Sequence, residues 1–461
     1  MSDFPSNKFD RGRHFAKAGL KVGTNYAKYH LNKLINKNTN GEEKNQLNEK
    51  NAEAIYNEFT QLRGTALKIA QSLSMDYNGL LPDEYIDVMS QAQYRVPPIN
   101  KALVRTIVKN ELGKYPENIF ESFDLDAVAA ASIGQVHQGM LRDGKKVAVK
   151  IQYPHIRNTI SSDLSMAHAI FKRMVKGDIS QYFDEVANKL LEETDYLQEG
   201  REIEFYAKRY TSDHLITPRW YQDLSTEKIL TMSFVEGRHL EEFLKTGPDQ
   251  EKRDYFGQLL WNFFHEQINE SHTIHADAHP GNFLFTPNNK LGVLDFGCVK
   301  KFPRDFFFYY MYALPAHLHN DKAELSELFN KLEILGAREH SRENDDLNFE
   351  FFRDFGRDFT KPYRYDQFDF GDAGFKDDIS YYIKKATSFD EPVGSRHFVY
   401  ASRVHLGLYT MLMKLRAKID TRKSREIIDN YIESERPHFM DENGLILRHE
   451  TKYTLSGDSG S

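Results

Sequence analysis

The sequence predicts an α+β fold in two lobes, a small strand-rich one and then a larger helical one, behind an N-terminal helical extension. Three observations predict it. Short β-branched runs cluster between about residues 125 and 235, helical periodicity dominates after Gly237, and the first 120 residues carry helical patterns without strand signals. A chain of 461 residues has length for two to three domains and a large core.

The extension begins with a basic segment, residues 1–35. Residues 1–37 hold eight Lys/Arg against two Asp, on a chain whose net charge is −7. Phe15, Ala18, Val22, Tyr26 and Tyr29 recur near helical spacing with Lys17, Lys21 and Lys28 between them. Two readings stay open: a helix packed on its own domain, or a basic amphipathic helix at an anionic membrane surface. Residues 36–51 have Leu47 as their only large apolar residue, so they read as a flexible linker. A helical region, 52–120, follows with patterns over 52–75, 82–93 and 100–112, the last two separated by the RVPPIN turn.

The strand-rich lobe is expected over 121–235. VAAASIGQVHQG and KKVAVKIQ read as strands joined by a turn at Arg142–Lys145. Helices are expected at 156–176 and 181–209, and strands near Leu215–Trp220 and Lys228–Val235. The helical lobe, 236–452, is interrupted by short strands at Asn282–Phe285 and Leu291–Leu294. Residues 338–380, rich in Asp, Arg and Phe, read as irregular, and the tail 453–461 as disordered.

Composition excludes several classes. The acidic balance, 61 Lys+Arg against 68 Asp+Glu, argues against a nucleic-acid binder. One cysteine, Cys298, permits no intramolecular disulfide and no four-cysteine zinc site. It reads as a small buried residue, with a thiol-reactive role the alternative. No stretch reaches the roughly 18 apolar residues of a spanning helix. Asp3 and Asp10 count against a transit peptide, so a cytoplasmic chain is expected.

The chemistry sits in four places. AAASIG, residues 129–134, has the spacing of a phosphate-covering loop, though only Gly134 of the expected glycines is present; alone it reads as an Ala-rich strand end. VAVK ends at Lys150, a lysine in an apolar strand, which either needs a counter-charge or lies on an edge and reaches water. EETDYLQE carries Glu193 and Glu199; six residues at roughly 100° each put them about 240° apart on one helix, facing different partners. HADAHPGN places Asp277 five residues before Asn282, the spacing of a kinase catalytic loop, and LDFG follows with Asp295 in the metal position. The hairpin between them, with Pro287-Asn288-Asn289 at its tip, would bring Asn282 and Asp295 to one metal ion. The competing reading takes His272, His275, Asp277 and His279 as a transition-metal site; a structural His275 competes with that.

Together KIAQ (68–71), LLPDEY, the VPP turn, AAASIGQVH, VAVKIQYP, the pattern at 193–199, HADAHPGN and DFG resemble the UbiB/AarF/ADCK family of atypical protein-kinase-like proteins, over about residues 8–310. The branch tied to ubiquinone biosynthesis looks nearest. The resemblance implies a bilobal protein-kinase-like fold whose extension carries a KxGQ-like motif, with Lys68 and Gln71 matching and Ala70 standing where the signature has glycine. It implies ATP and Mg²⁺ as cofactors. Lys150 would contact the phosphates and pair with Glu193, while Glu199 would reach Lys68. Ala129, Ala130, Ala131, Ser132 and Gly134 would cover the nucleotide, and Met232, Ser233 and Val235 would form the hinge that reads adenine. Asp277 would be catalytic, and Asn282 and Asp295 would hold the metal. The function implied is an atypical kinase or ATPase supporting ubiquinone-type synthesis, acting on a small molecule or lipid. Quinone-biosynthesis enzymes and the membrane are the candidate partners. A nucleotide-gated scaffold and a protein Ser/Thr kinase are the alternatives.

Overall fold

In the computed structural model, the described residues are 8–35, 41–62, 66, 69, 88, 99–131, 133–154, 156–172, 180–269, 272–336, 342–386, 393–441 and 445–446. They form two compact units. The first takes 1–249, 277–299 and 380–392; the second takes 250–276, 300–379 and 393–461.

The first unit starts with helices Lys8–Ile35 and Gly41–Leu62. Phe15, Ala18 and Val22 of the first face Ala52, Ile55, Phe59 and Leu62 of the second, and the rings of Phe15 and Phe59 meet edge to face at 5.3 Å. So, of the two readings open for this face, the structure shows the helix packed on its own domain. The linker expectation for 36–51 is also corrected: from Gly41 onward the segment is helix. Its few apolar side chains suffice because Asn48 and Asn51 are buried with Leu47 on the same face. Arg11 is buried and donates to Asp163 of helix Ile156–Phe171 (2.9 Å from Nε) and to the Leu62 carbonyl (3.1 Å). That pair ties three helices together.

The main sheet is antiparallel: β1 (Ser122–Phe123), β3 (Gly134–Met140), β4 (Lys146–Gln152) and β6 (Ile229–Ser233) in that order, with β2 (Ala129–Ala131) also on β3. The β3–β4 turn closes with Gly144 at φ +80 and Leu141 N–H on the Lys145 carbonyl (2.8 Å), as the Arg142–Lys145 expectation required. β4 is an interior strand, buried on both faces from Val147 to Gln152. Helix Lys101–Leu112 packs Val104 and Val108 into the same core, capped by Asn100. The extension and the sheet therefore share one hydrophobic cluster.

A second sheet joins β5 (Leu215–Ile216), β9 (Leu291–Val293) and β8 (Phe283–Phe285). β5 pairs with β9 in parallel, and Arg238 bridges to Phe285. This pairing draws the 277–299 hairpin and residues 236–249 into the first unit, beyond the boundary expected at residue 235. Asn289 at the hairpin tip has φ +61. The single helix expected at 181–209 is two, Ser180–Glu192 and Tyr196–Tyr210. Asp195 breaks it by capping the second helix, accepting from the Gln198 N–H (2.9 Å).

The second unit is helical: Gln250–Glu266, Arg304–His319, Lys322–Lys331, Arg342–Phe359, Arg396–Leu415 and Arg422–Phe439. Trp261 is fully buried among Tyr363, Phe370 and Tyr409. The strand pairs β7 (Thr273–His275) with β10 (Val299–Lys301) and β11 (Gln367–Asp369) with β12 (Lys418–Asp420) complete the chain. The irregular reading of 338–380 is corrected. Helices Arg342–Phe359 and Ala373–Ala386 occupy most of it, the first burying Phe349 and Phe352 one turn apart. The tail expectation lies outside the described residues. Among the described residues, no helix is long and apolar enough to cross a membrane.

Candidate active site

Every described candidate residue of the site lies in the first unit. Lys150 projects from β4, where Val136 and Leu230 flank it across the ladders. It is 7% exposed, which rules out the edge-strand reading. Its ammonium donates to both oxygens of Glu199 at 2.9 Å and lies 3.6 Å from an Asp295 oxygen. Burial opposes the charge on Lys150, but Asp295 and Glu199 outweigh it and hold the ammonium well above the ordinary lysine range. Burial pushes the Glu199 carboxyl up to about 7, against the pull of Lys150.

The expected pairing of Lys150 with Glu193 is corrected by this geometry. Glu193 falls in the break between the two helices rather than on a helix face, so the 240° argument does not apply. Glu199, one turn into helix Tyr196–Tyr210, carries the buried pair. The signal was in the sequence: Asp195 with Gln198 three residues on is a capping pattern, and it starts a new helix. Glu193 is half-buried and contributes to the field at Glu199. Lys68, Ala70, Gln71 and Ser132 lie outside the described residues.

Asp277 and Asn282 come together as expected. The Asn282 side-chain amide donates to the Asp277 carboxylate (2.9 Å) and backbone carbonyl (3.1 Å). Pro280–Asn282 form a single 3₁₀ turn capped by His279, whose Nδ1 accepts from the Gly281 N–H. Leu294 N–H bonds to the Asn282 carbonyl (3.0 Å), which sets Asn282 beside the approach to Asp295 across the β8–β9 ladder. Asp295 accepts from the Gly297 N–H (2.8 Å). A methyl at Gly297 would stand 3.1 Å from that Asp295 oxygen and 3.8 Å from Glu199, so the glycine lets the two carboxylates converge. The Phe296 ring lies tilted against Tyr206 at 4.8 Å between centres, joining the Asp295 loop to the helix of Glu199.

Ala129–Ala131 pair with Val136–Gly134 as a tight hairpin. Gly134 sits where the sheet leaves no room for a side chain. A Cβ there would lie 2.2 Å from the Ile151 carbonyl oxygen and 3.0 Å from the Tyr196 hydroxyl. Met232 and Val235 are buried; Ser233 N–H bonds to Arg219 and Phe234 N–H to Lys146, which fixes the peptide that follows β6. Sequence reasoning missed Tyr196. It is fully buried, and the Lys150 ammonium lies 5.0 Å from its ring centre.

The histidine metal site finds no support. Among the described residues, no group of three His, Cys, Asp or Glu is placed to hold a metal ion. His275 N–H bonds to Gln267 (2.7 Å), and His272 packs on Phe307 and Tyr431. Cys298 is half-buried. Asn282 and Asp295 offer instead the hard oxygen donors that suit Mg²⁺.

Comparison with known proteins finds a kinase-like family. The ABC1 atypical kinase-like domain matches residues 91–329. A probable serine/threonine-protein kinase, abkA, of Dictyostelium discoideum is 28% identical over 74% of this chain and 64% of its own length. The mitochondrial atypical kinase COQ8 of Saccharomyces cerevisiae is 28% identical over 82% of this chain and 76% of its own. The chain spans less than two-thirds of several such relatives, 57% of the mouse AarF domain-containing protein kinase 1 among them. The solved Rv3197–erythromycin complex from Mycobacterium tuberculosis superposes with a TM-score of 0.56 at 27% identity, covering 83% of this chain and 96% of that one. A strand-bearing unit with a buried lysine–carboxylate cluster, a helical unit and these matches together describe a bilobal kinase-like fold. The chain belongs to the ABC1 family of atypical kinase-like proteins, the UbiB/AarF/ADCK group.

Proposed function

We propose that the chain is an ATP- and Mg²⁺-dependent atypical kinase or ATPase that supports isoprenoid-quinone synthesis of the ubiquinone type, acting on a small molecule or lipid or through ATP hydrolysis itself. One observation carries it: a buried ammonium, Lys150, held between Glu199 and Asp295, in a unit where Asn282 also orients Asp277. Lys150 would hold phosphate oxygens. The Ala129–Gly134 hairpin would cover them, and Met232, Ser233 and Val235 would read adenine through backbone groups. Asp277 would accept the proton of an attacking hydroxyl, its carboxylate fixed by the Asn282 amide. Asn282 Oδ1 and Asp295 would hold Mg²⁺, which supplies charge neutralisation at the transferred phosphoryl group. Lys68 and Gln71 would close the extension over the site.

Membrane contact would use the face of helix Lys8–Ile35 opposite its buried one, where Phe9 is 79% and Leu20 71% exposed beside Arg13 and Lys17. Flotation with anionic liposomes at low salt tests this, and no binding dismisses it.

Asp295→Asn is expected to abolish Mg²⁺-dependent ATP hydrolysis; unchanged turnover would remove the metal assignment. The scaffold reading predicts that Asp277→Asn fully rescues cells lacking the protein, whereas the catalytic reading predicts no rescue. A protein-kinase role predicts many labelled bands when the protein meets a lysate with labelled ATP, and none are expected here.

A further inference from the structure

We infer that the Tyr196 hydroxyl is a phosphate-binding donor whose hydrogen bond forms only when a nucleotide is held. This rests on the nucleotide reading above. Tyr196 opens helix Tyr196–Tyr210 immediately after the Asp195 cap and is 0% exposed. Its hydroxyl is buried and has no hydrogen-bond partner among the described residues. A buried hydroxyl left unsatisfied is costly, and a phenylalanine would fill the same space without that cost.

The hydroxyl's position says what would satisfy it. On one side it stands 3.0 Å from where a Cβ of Gly134 would be, at the start of β3 and the end of the Ala-rich hairpin. On the other, the ring supports the Lys150 ammonium at 5.0 Å. The phenol is thus set between the backbone that would cover the phosphates and the cation that would hold them. Burial above all keeps it far above its usual titration range, so it is a neutral O–H donor at any physiological pH. Glu199, Asp295 and Glu193 lie close enough to act on it electrostatically, yet none accepts its proton. An oxygen anion arriving beside Lys150 would be the missing acceptor.

The test compares the full-length wild type with Tyr196→Phe, using titration calorimetry with MgATP and with adenosine, and thermal melting without ligand. The inference predicts that Tyr196→Phe melts at the same or a higher temperature without ligand. It should bind MgATP roughly ten-fold more weakly and adenosine unchanged. MgATP binding equal to wild type would overturn it. So would equal weakening of MgATP and adenosine, which marks a packing role, or a lower melting temperature without ligand, which marks a hydroxyl already satisfied. A wild type that binds no nucleotide would defeat the nucleotide reading itself, a different outcome from a wild type that binds and a Tyr196→Phe variant that matches it.

Discussion

Glu199→Ala isolates the central electrostatic contact. The substitution leaves Lys150 buried, with Asp295 at 3.6 Å as its remaining counter-charge. Above pH 7, where Glu199 is mostly ionised, and at an effective dielectric of about 20, unit charges 2.9 Å apart attract by about 6 kcal/mol before desolvation, and those 3.6 Å apart by about 5. Breaking a buried pair from one side costs about 3–5 kcal/mol net. Asp295 stays in place but its carboxylate is 38% exposed and therefore screened, so it offsets only part of the loss. The expected destabilisation is about 3 kcal/mol. Glu193→Gln alters a half-buried carboxylate in the helix break and should cost under about 1 kcal/mol. Urea unfolding followed by tryptophan fluorescence reads both. Trp220 is a local reporter, because it packs against Gly200, next to Glu199, so closely that a Cβ there would come within 2.3 Å of its ring. A Glu199→Ala variant within about 0.5 kcal/mol of wild type, beside a Glu193→Gln variant losing more than 2, would refute the pairing.

Gly134→Ala should destabilise by about 1–3 kcal/mol, since the new methyl meets the Ile151 carbonyl inside the β3–β4 ladder; an unchanged melting temperature would show that the ladder yields freely. Arg11→Met should cost about 3–5 kcal/mol by taking the guanidinium away from the fully buried Asp163, and Arg11→Met with Asp163→Leu should recover part of it; equal loss in both variants would contradict the charge argument. His265 and His405 are buried neutral, with burial lowering their pKa from 6.5 to about 3 and about 4. The unfolded chain binds those protons more readily, so stability is present above pH 6.5 and falls as pH drops toward 4, by about 2 kcal/mol per ring at pH 5. Trp261, whose ring lies 4.3 Å from His265, would report it; identical unfolding midpoints at pH 7 and pH 5 would count against buried neutral rings.

Much of the first unit was legible because its signals are local. The β3–β4 hairpin joins two short apolar-bearing runs through a turn that carries a glycine, and the β8–β9 hairpin turns at Asn289, in the Pro-Asn-Asn stretch expected to form its tip. Asp277 and Asn282 sit in one short loop, so their spacing alone brings them together. What failed depended on longer-range burial. Helix Gly41–Leu62 looks like a linker until the face that covers Asn48 and Asn51 is known. Helix Arg342–Phe359 hides its stripe among interleaved charges, and only the burial of Phe349 and Phe352 reveals the period. Lys150 could not be given its carboxylate by counting residues, because the count crossed a helix boundary at Asp195.

The tilted Tyr206–Phe296 contact bears on how the proposed site would fill. Phe296 is bonded to Asp295, and Tyr206 lies on the same rod as Glu199, two turns further along. On the proposed reading, a divalent ion drawing on the Asp295 loop would tug the rod, and a triphosphate gripping Lys150 would tug the loop. Whichever arrived first would already have spent the ordering entropy for the second. Cation and nucleotide should accordingly show positive heterotropic cooperativity, equal in size whichever is titrated first.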